Sequence, residues 1–140
     1  MSELTQSFQW IVSTMRGDSA LMAAAVGGVW EQFADISTPM PYVLIVAQVA
    51  GVDSLTSTAK RVMNRQMLQL KAIGPTSNYA ALITIADRID VLFKDVRNVG
   101  LPAGVMLTCF REQILAYGEI VNGAAFSHLG GLYHIDVQGS

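Results

Sequence analysis

The feature of this sequence that most limits its fold is one long amphipathic stripe near its middle. Between residues 76 and 96, apolar side chains recur at helical spacing, and the charged residues lie largely off that stripe. Pro75 precedes the segment, and Asn98, Gly100 and Pro102 follow it. We therefore predict a helix over residues 76–96 that is ended by a left-handed stop at Asn98 and Gly100. The stripe consists of Tyr79, Leu82, Ile83, Ala86, Ile89, Phe93 and Val96.

The sequence after this helix is typical of two paired strands. Residues 105–121 and 124–137 are rich in alternating apolar and polar side chains. The Asn122–Gly123 pair between them is the strongest short hairpin signal in the chain, because both residue types tolerate a two-residue turn with positive φ. The successive glycines Gly130–Gly131 predict a bulge or bend in the second strand.

The sequence before the helix also predicts strands. Residues 42–50 are rich in β-branched side chains and are apolar on both faces, which indicates a strand that is covered on both sides. Residues 29–35 favour a short strand or an extended segment, and Pro39 and Pro41 lie in the loop that follows. Residues 51–58 are polar and are predicted to form a loop.

Residues 60–72 fit two interpretations. Local propensity alone favours a helix, with a fair apolar stripe that includes Met67 and Leu70. A strand is favoured by position, because residues 42–50 need an antiparallel partner and Gly74–Pro75 ends the segment just before the long helix. We predict a strand.

The N-terminal region is predicted to be helical. Residues 3–16 place apolar side chains on one stripe behind Ser2, which is a suitable N-cap. A short second helix then begins after a cap at Asp18 or Ser19 and runs to Ala25.

These elements together predict the fold class. We expect an α+β protein with a mainly antiparallel sheet of four to five strands, one long helix packed on it and a helical N-terminus. The chain is expected to form one domain over residues 1–140. Its N-terminal helices occupy residues 1–26, and the sheet-plus-helix core occupies residues 29–137.

Charge is scarce in this chain. Only 14% of its residues are Asp, Glu, Lys or Arg, against roughly 25% in ordinary soluble domains, while 51% are hydrophobic. High hydrophobicity excludes intrinsic disorder, and a net charge of −2 argues against a broad nucleic-acid-binding surface. We expect the apolar surplus to lie in a core plus a large subunit interface.

A membrane-spanning segment does not account for the apolar residues. The longest stretch without charge, residues 36–52, is 17 residues long and contains Pro39 and Pro41. A spanning helix needs about 20 mainly apolar residues, so we expect no membrane span. No basic residue precedes Arg16, so a signal peptide is not expected either.

The sequence holds few residues with catalytic chemistry. His128 and His134 lack a recognised metal-ligand spacing, and the lone Cys109 lies in an apolar run that favours a buried thiol. Asp87 and Asp90 favour a solvated helix face with an Asp90–Lys94 pair over acid–base work. We expect a protein that is not an enzyme and holds no metal or cofactor. A small enzyme that uses His128 or His134 is the alternative.

A basic cluster is the most informative polar feature. Four of the nine basic residues fall within residues 60–71. The favoured interpretation is a solvated sheet face or a set of salt bridges to a neighbouring subunit, and the alternative is a surface for phosphates or an acidic partner. The residues predicted to lie at a subunit interface are Arg61, Met63, Arg65, Met67 and Lys71, which Lys60 adjoins.

Several local motifs gain specificity from their order. They are Asp-Ser-Ala-Leu … Val-Gly-Gly-Val-Trp (residues 18–30), Pro-Tyr-Val-Leu-Ile (41–45), Arg-Gln-Met-Leu-Gln-Leu-Lys-Ala-Ile-Gly (65–74), Ile-Ala-Asp-Arg-Ile-Asp-Val-Leu-Phe (85–93) and Gly-Leu-Tyr-His-Ile-Asp-Val (131–137). Over residues 18–137 the chain resembles the tail terminator, or tail-completion, proteins of long-tailed bacteriophages. Its low charge is a departure, since members of that family usually have a more polar sequence.

The resemblance implies a structural protein of the virion without catalytic residues. It implies a homohexameric ring that caps the tail tube and joins the tail to the head or neck. In that ring the strand from Arg61 to Lys71 is expected to face a neighbouring subunit or the lumen. The implied partners are the chain itself, the tail-tube protein, a neck or head-completion protein and DNA, which passes through the lumen without sequence-specific binding. The implied place is the tail or neck of the virion, after assembly in the host cytoplasm. Another head–tail connector component, an adaptor or a stopper, is the alternative.

Overall fold

Two helices open the chain, as the sequence predicts. Helix α1 (Glu3–Arg16) is capped by Ser2, whose Oγ accepts a hydrogen bond from an amide of the first turn at 3.2 Å. Helix α2 (Ser19–Ala24) is capped by Asp18, whose Oδ2 accepts an amide hydrogen bond at 3.0 Å. Both caps satisfy amides that have no partner inside the helix, which is why a hydroxyl or carboxylate residue stands at each position.

The rest of the chain is dominated by one sheet in this computed structural model, which describes residues 2–139. Its strands are β1 (Val29–Glu31), β2 (Tyr42–Leu55), β3 (Arg61–Pro75), β4 (Val96–Leu101), β5 (Gly104–Val121) and β6 (Ala124–Gly139). They lie in the order β1-β2-β3-β6-β5-β4, and the sheet curls into a half-barrel. β1 runs parallel to β2, and every other neighbouring pair is antiparallel. A 3₁₀ turn (Thr76–Asn78) and helix α3 (Tyr79–Phe93) connect β3 to β4.

The predicted fold class is therefore wrong. Within residues 2–139 the sheet is mixed and has six strands, whereas we predicted a mainly antiparallel sheet of four to five. The molecule is also richer in sheet than predicted, because β3, β5 and β6 are 15, 18 and 16 residues long.

The missed strand is β4, which begins where we placed the end of the long helix. Helix α3 stops at Phe93, and Val96, Val99 and Leu101 reach the core from an extended strand instead. Asn98 has the predicted positive φ, 55°, but it lies inside β4, between two residues that pair with β5. Apolar residues at these positions fit both the helical period and the strand period. The sequence pattern alone therefore does not distinguish a longer helix from a strand here.

The β2–β3 hairpin confirms the strand interpretation of residues 60–72. The predicted polar loop at residues 51–58 is wrong, because β2 continues to Leu55 and pairs there with Arg61. One of the polar side chains that indicated a loop, Asp53, instead bonds across the hairpin to a residue of β3. Asn64 Nδ2 donates to Asp53 Oδ1 at 2.8 Å.

The turn between β5 and β6 confirms the hairpin signal. Asn122 and Gly123 have φ values of 51° and 79°, and Val121 pairs directly with Ala124. A two-residue turn with both φ values positive matches the twist of the flanking strands.

The predicted bulge at Gly130–Gly131 is wrong. Both residues stay in register with Leu70 and Lys71 of β3, and the irregularities of the β5–β6 pair lie in β5, near residues 107 and 112. A Cβ added to Gly130 would lie 2.1 Å from the Leu70 carbonyl oxygen. Glycine is required here by the close approach of two backbones.

One face of the sheet packs against α1, α2 and α3 and forms the core. Leu70 and Tyr133 are buried on this face, and Phe93 of α3 makes edge-to-face contacts with Trp10 (5.6 Å) and Tyr133 (6.3 Å). Cys109 is buried there as predicted, and burial raises the pKa of its thiol to about 12. We call this side the helix-covered face and the opposite side the open face.

Candidate assembly surface

The open face carries the side chains that alternate with the core positions along each strand. Successive residues of a strand point to opposite faces, so the register of β3, β6 and β5 defines the set. Its central members, which are polar or aromatic apart from Met67, are Arg65, Met67, Gln69, Lys71, Phe110, Tyr117, Glu119, His128, His134 and Asp136.

Lys71 lies in the middle of one cluster on the open face. It is 5% exposed, and its Nζ donates to Tyr117 Oη at 2.5 Å and to Gln69 Oε1 at 3.1 Å. The Tyr117 ring stacks on His128 with centroids 4.4 Å apart, and His128 Nε2 lies 2.7 Å from Glu119 Oε1. A nearly buried cation is tolerated because its hydrogen-bonding partners lie within the face itself.

A second cluster repeats this arrangement further along β6. His134 stacks on Phe110 with centroids 4.9 Å apart, and its Nε2 lies 3.0 Å from Asp136 Oδ1. Arg65 Nε approaches the same carboxylate oxygen at 3.6 Å. Each cluster thus joins an aromatic ring, an imidazole, a carboxylate and a basic side chain.

The open face is concave. Lys71, His128 and Leu132 are nearly buried, although α1, α2 and α3 all pack on the other side. Burial, and secondly the charge of Glu119, raise the pKa of Tyr42 on β2. Because the sheet curls into a half-barrel and these open-face side chains are nearly buried without a covering helix in residues 2–139, the sheet curves towards its open side.

The structure divides the predicted interface residues into two groups. Four of them lie on the open face: Met63, Arg65, Met67 and Lys71. Arg61 reaches the other side, where its guanidinium lies 3.0 Å from the Glu3 carboxylate at the start of α1 and 3.9 Å from Asp53. Arg61 therefore connects the N-terminal helix to the β2–β3 hairpin.

β5 has a long unpaired outer edge. β4 pairs with residues 104–109 of β5, and no strand within the described range 2–139 borders residues 110–121 on that side. The segment contains no lysine or proline, which commonly protect edge strands. Its exposed large apolar side chains are Phe110, Ile114, Tyr117, Ile120 (78% exposed) and Val121.

β2 has a similar edge on the opposite side of the sheet. β1 pairs with Val43–Ile45, and the Gln32 amide donates one more bond to the Ile45 carbonyl at 2.8 Å before the chain turns away. Among the residues that the structure describes, no strand borders residues 46–55 on that side. Val52 and Leu55 in this stretch are more than half exposed.

The two unpaired edges lie at opposite ends of the sheet. Val46 of β2 pairs with Gln69, which pairs with Leu132, and Leu132 pairs with Gln113 of β5. From this common level the free edge of β2 runs towards the β2–β3 turn, and the free edge of β5 runs towards the β5–β6 turn. One sheet thus presents two free edges that are diagonally related.

A second exposed apolar region surrounds β1. Phe33 and Ile36, which follow β1, are almost fully exposed, at 86% and 104%, and Val26, Trp30 and Met40 in the same part of the chain are also exposed. Large exposed apolar side chains are a common component of protein interaction sites.

The predicted catalytic candidates do not meet. His128 and His134 are six residues apart on β6, about 20 Å along the strand, and each contacts its own carboxylate. Among residues 2–139 no group of three or more His, Cys, Asp or Glu side chains is placed to hold a metal. Asp90 accepts a hydrogen bond from Tyr133 at 3.2 Å and lies 3.5 Å from Arg111, so the predicted pair with Lys94 is wrong.

None of the helices formed by the described part of the chain combines the length and the hydropathy needed to cross a membrane.

Sequence reasoning missed the two aromatic–imidazole stacks and both free edges. A signal for the first stack was present: a two-residue turn at Asn122–Gly123 places Tyr117 opposite His128 by counting back along both strands. The second stack was hidden, because the irregularity near residue 112 shifts the count by one before Phe110. The free edges depend on which strands end early, and that information is not local.

The fold is shared with a solved virion chain. The chain matches a protein in the structure of the virion of a native gene transfer agent particle, with a TM-score of 0.72 and 15% sequence identity over 92% of each chain. A second solved chain is more distant, with a TM-score of 0.49 and 13% identity over 94% of this chain and 95% of the other. No family model matches the sequence, and no curated protein shows significant similarity to it. The first match establishes the fold.

Proposed function

We propose that this chain is a structural, non-enzymatic protein of a virion. The observation that carries the proposal is the fold that it shares, over 92% of its length, with a chain of a gene transfer agent virion. The sequence resemblance to tail terminator proteins supports a finer assignment. In that assignment the chain forms a homohexameric ring at the end of the tail tube and joins the tail to the head or neck.

The exposed apolar surface is consistent with a protein that functions in an assembly. The β5 edge and the region around Phe33 and Ile36 expose large side chains in the isolated chain. An assembly with several neighbours would remove both surfaces from water, because a ring subunit contacts a copy on each side and other proteins above and below. In the assigned position those proteins are the tail-tube protein and a neck or head-completion protein.

The open face suits a surface that DNA passes without being held. Its basic group Arg65 is balanced by the Asp136 carboxylate close by, and the Glu119 carboxylate lies beside the His128 imidazole. Lys71 is nearly buried, so it presents little charge to a phosphate. A strongly basic surface would bind phosphates tightly and slow the passage of DNA. We therefore expect only weak, sequence-independent contact with DNA.

Native mass spectrometry of the purified protein, alone and with tail-tube protein, tests the ring. We expect a closed oligomer of defined size and co-sedimentation with purified tails. Binding to filled capsids in place of tails would indicate the adaptor or stopper role instead. A chain that stays monomeric at every concentration, and that binds neither tails nor capsids, would contradict the proposal.

A further inference from the structure

We propose that one end of the sheet, which is formed by stretches without charged residues, docks on the tail-tube protein, and that the opposite, charged end faces the neck or head-completion protein. This inference rests on the proposed function and assigns its two partners to two surfaces of the chain. The difference in charge between the two ends carries it.

The strand register defines the two ends. Tyr42 of β2 is level with Ile73 of β3, and Ile73 is level with His128 of β6. His128 is in turn level with Tyr117 of β5. The β5–β6 turn and the start of α3 therefore lie at this end, which we call the uncharged end. The β2–β3 turn, the β4–β5 turn and Gly139 lie at the other, which we call the charged end.

Four stretches of the chain meet at the uncharged end, and none of them contains Asp, Glu, Lys or Arg. The Pro41 carbonyl accepts a hydrogen bond from the Gly27 amide at 3.0 Å, and a Cβ added to Gly74 would lie 3.3 Å from Pro41. The hydroxyls of Thr76 and Ser127 are joined by a hydrogen bond of 2.8 Å. The four stretches are residues 25–30, 36–47, 72–80 and 120–128.

Four charged residues border these stretches, but they contribute little free charge to the uncharged end. Three are bonded within the chain: Asp35 to Ser37, Lys71 to Tyr117 and Glu119 to His128. The fourth, Glu31, lies further from the end, level with Ile45 of β2.

Apolar side chains take the place of charge on the surface of this end. Ile120, which is 78% exposed, and Val121 precede the β5–β6 turn. Within residues 2–139, residues 120–125 pair only with each other, because the ladder between β3 and β6 ends at Phe126. The further exposed apolar side chains here are Val26, Met40 and Tyr79. A surface of this kind is typical of lasting contacts between proteins.

The charged end has the opposite character. Arg61 lies 3.0 Å from the Glu3 carboxylate and 3.9 Å from that of Asp53, and its side chain is half exposed. Lys60 precedes it and is exposed as well. Val62 is exposed beside these two basic residues. This surface is therefore well solvated in the isolated chain.

The order of contacts favours the tube as the partner of the uncharged end. In a closed ring every copy has the same orientation about the axis, so the copies together present one uncharged and one charged rim. A ring that caps the tube and then joins the neck keeps its neck side in water until the second contact forms. A charged rim suits that interval, and charge also guides the later encounter of two large particles. The uncharged rim gains more from being covered first.

Matched charge insertions test the assignment. Val121→Glu adds a carboxylate at the uncharged end and Val62→Glu adds one at the charged end, and the two valines are similarly exposed, at 46% and 42%. Tyr79→Glu is a second variant of the uncharged end, in the first turn of α3, where a carboxylate favours the helix. Because Tyr79 lies outside the strands, this variant decides the question should Val121→Glu fail to associate.

The readout is co-sedimentation with purified tail tubes. Val121→Glu and Tyr79→Glu should bind tubes roughly tenfold more weakly, because each places an unpaired charge in an apolar contact. Val62→Glu should bind tubes like the natural chain. Circular dichroism and native mass spectrometry should show the variants folded and associated as the natural chain is.

Site-directed cross-linking gives an independent measurement. Cys109 is buried, which raises the pKa of its thiol to about 12, so a cysteine introduced at an exposed site is the one that a thiol-linked photo-cross-linker labels. Ala124 follows the β5–β6 turn, Thr58 lies in the β2–β3 turn, and both are exposed. In complexes with tail tubes, Ala124→Cys should attach to the tube protein and Thr58→Cys should not.

The outcomes separate this assignment from the proposed function. Tube binding that is lost with Val62→Glu and kept with Val121→Glu and Tyr79→Glu would reverse the two ends and overturn the inference, while the ring proposal stands. Equal tube binding by all three variants, or cross-links from Thr58→Cys in place of Ala124→Cys, would overturn it as well. A natural chain that neither associates nor binds tubes or filled capsids would overturn both.

Discussion

The two faces of the sheet are closed in different ways, and two adjacent residues of β3 illustrate the difference. Leu70 is fully buried on the helix-covered face, among apolar side chains contributed by the sheet and the helices. Lys71 is almost as buried on the open face, but it is enclosed by Tyr117 and Gln69 from its own sheet. The first face is completed by the chain itself, whereas the second is curved, polar and uncovered by any helix. The comparison suggests that the helix-covered face determines stability and that the open face is free to serve assembly.

The largest expected effect is the loss of a core side chain. Leu70→Ala should lower the free energy of unfolding by about 2–5 kcal/mol, since it removes buried methyl groups and leaves a cavity. Chemical denaturation followed by circular dichroism measures this. A loss below about 1 kcal/mol would mean that the helix-covered face is not the stabilising one.

A backbone contact between β3 and β6 should have the next largest effect. Gly130→Ala should destabilise the fold by about 1–3 kcal/mol, because the new Cβ would force β3 and β6 apart. Gly100→Ala is the matched control, since a Cβ there meets no atom within 4 Å. Equal denaturation midpoints for the two variants would contradict the close approach that we describe.

Acid should destabilise the helix-covered side through one ion pair. Arg88 donates to both carboxylate oxygens of Asp18, at 2.8 and 2.6 Å, and these hydrogen bonds hold the pKa of Asp18 below its usual value. The stabilisation is complete above the ordinary aspartate pKa of about 3.9 and is lost as pH falls through the lowered value. Asp18→Asn keeps an N-cap but loses the charge, so its stability should fall less with acid.

Thermal denaturation across this pH range checks the prediction. At neutral pH the natural chain should be the more stable of the two, and the difference should narrow as pH falls below about 4. A constant difference over the whole range would show that Arg88 does not interact with the charge of Asp18.

The smallest expected effect is on the open face. Lys71→Met should change the free energy of unfolding by about 1 kcal/mol or less, because exchanging a nearly buried cation for an apolar side chain of similar size is often neutral. Tyr117 is partly exposed and can bond to water instead. A loss as large as that of Leu70→Ala would show that the open face is a second core.

Much of the fold follows from local signals. The caps at Ser2 and Asp18 and the turn at Asn122–Gly123 depend on one or two residues each, and all three were predictable for that reason. Local propensity alone favoured a helix at residues 60–72. The strand prediction there also depended on residues 42–50, which needed an antiparallel partner.

The wrong predictions share a cause, which is that the competing structures fit the same pattern. Val96 extends the helical stripe and equally begins β4, and only its packing on the core decides between them. Gly130 marks a bulge or a close approach, and only the position of β3 distinguishes the two. Strand number and the parallel β1 depend on long-range contacts of this kind. The single-domain organisation over residues 1–140 stays a prediction. So do the roles at an interface or a lumen of Arg61, Met63, Arg65, Met67 and Lys71.

Electron microscopy of the purified protein, with and without tail tubes, tests the central claim most directly. The account predicts closed rings with a central hole wide enough for a DNA duplex, seated at the end of the tube when tubes are present. Isolated small particles, open filaments or solid discs under both conditions would contradict it, because none of these places the chain as a ring in a virion tail.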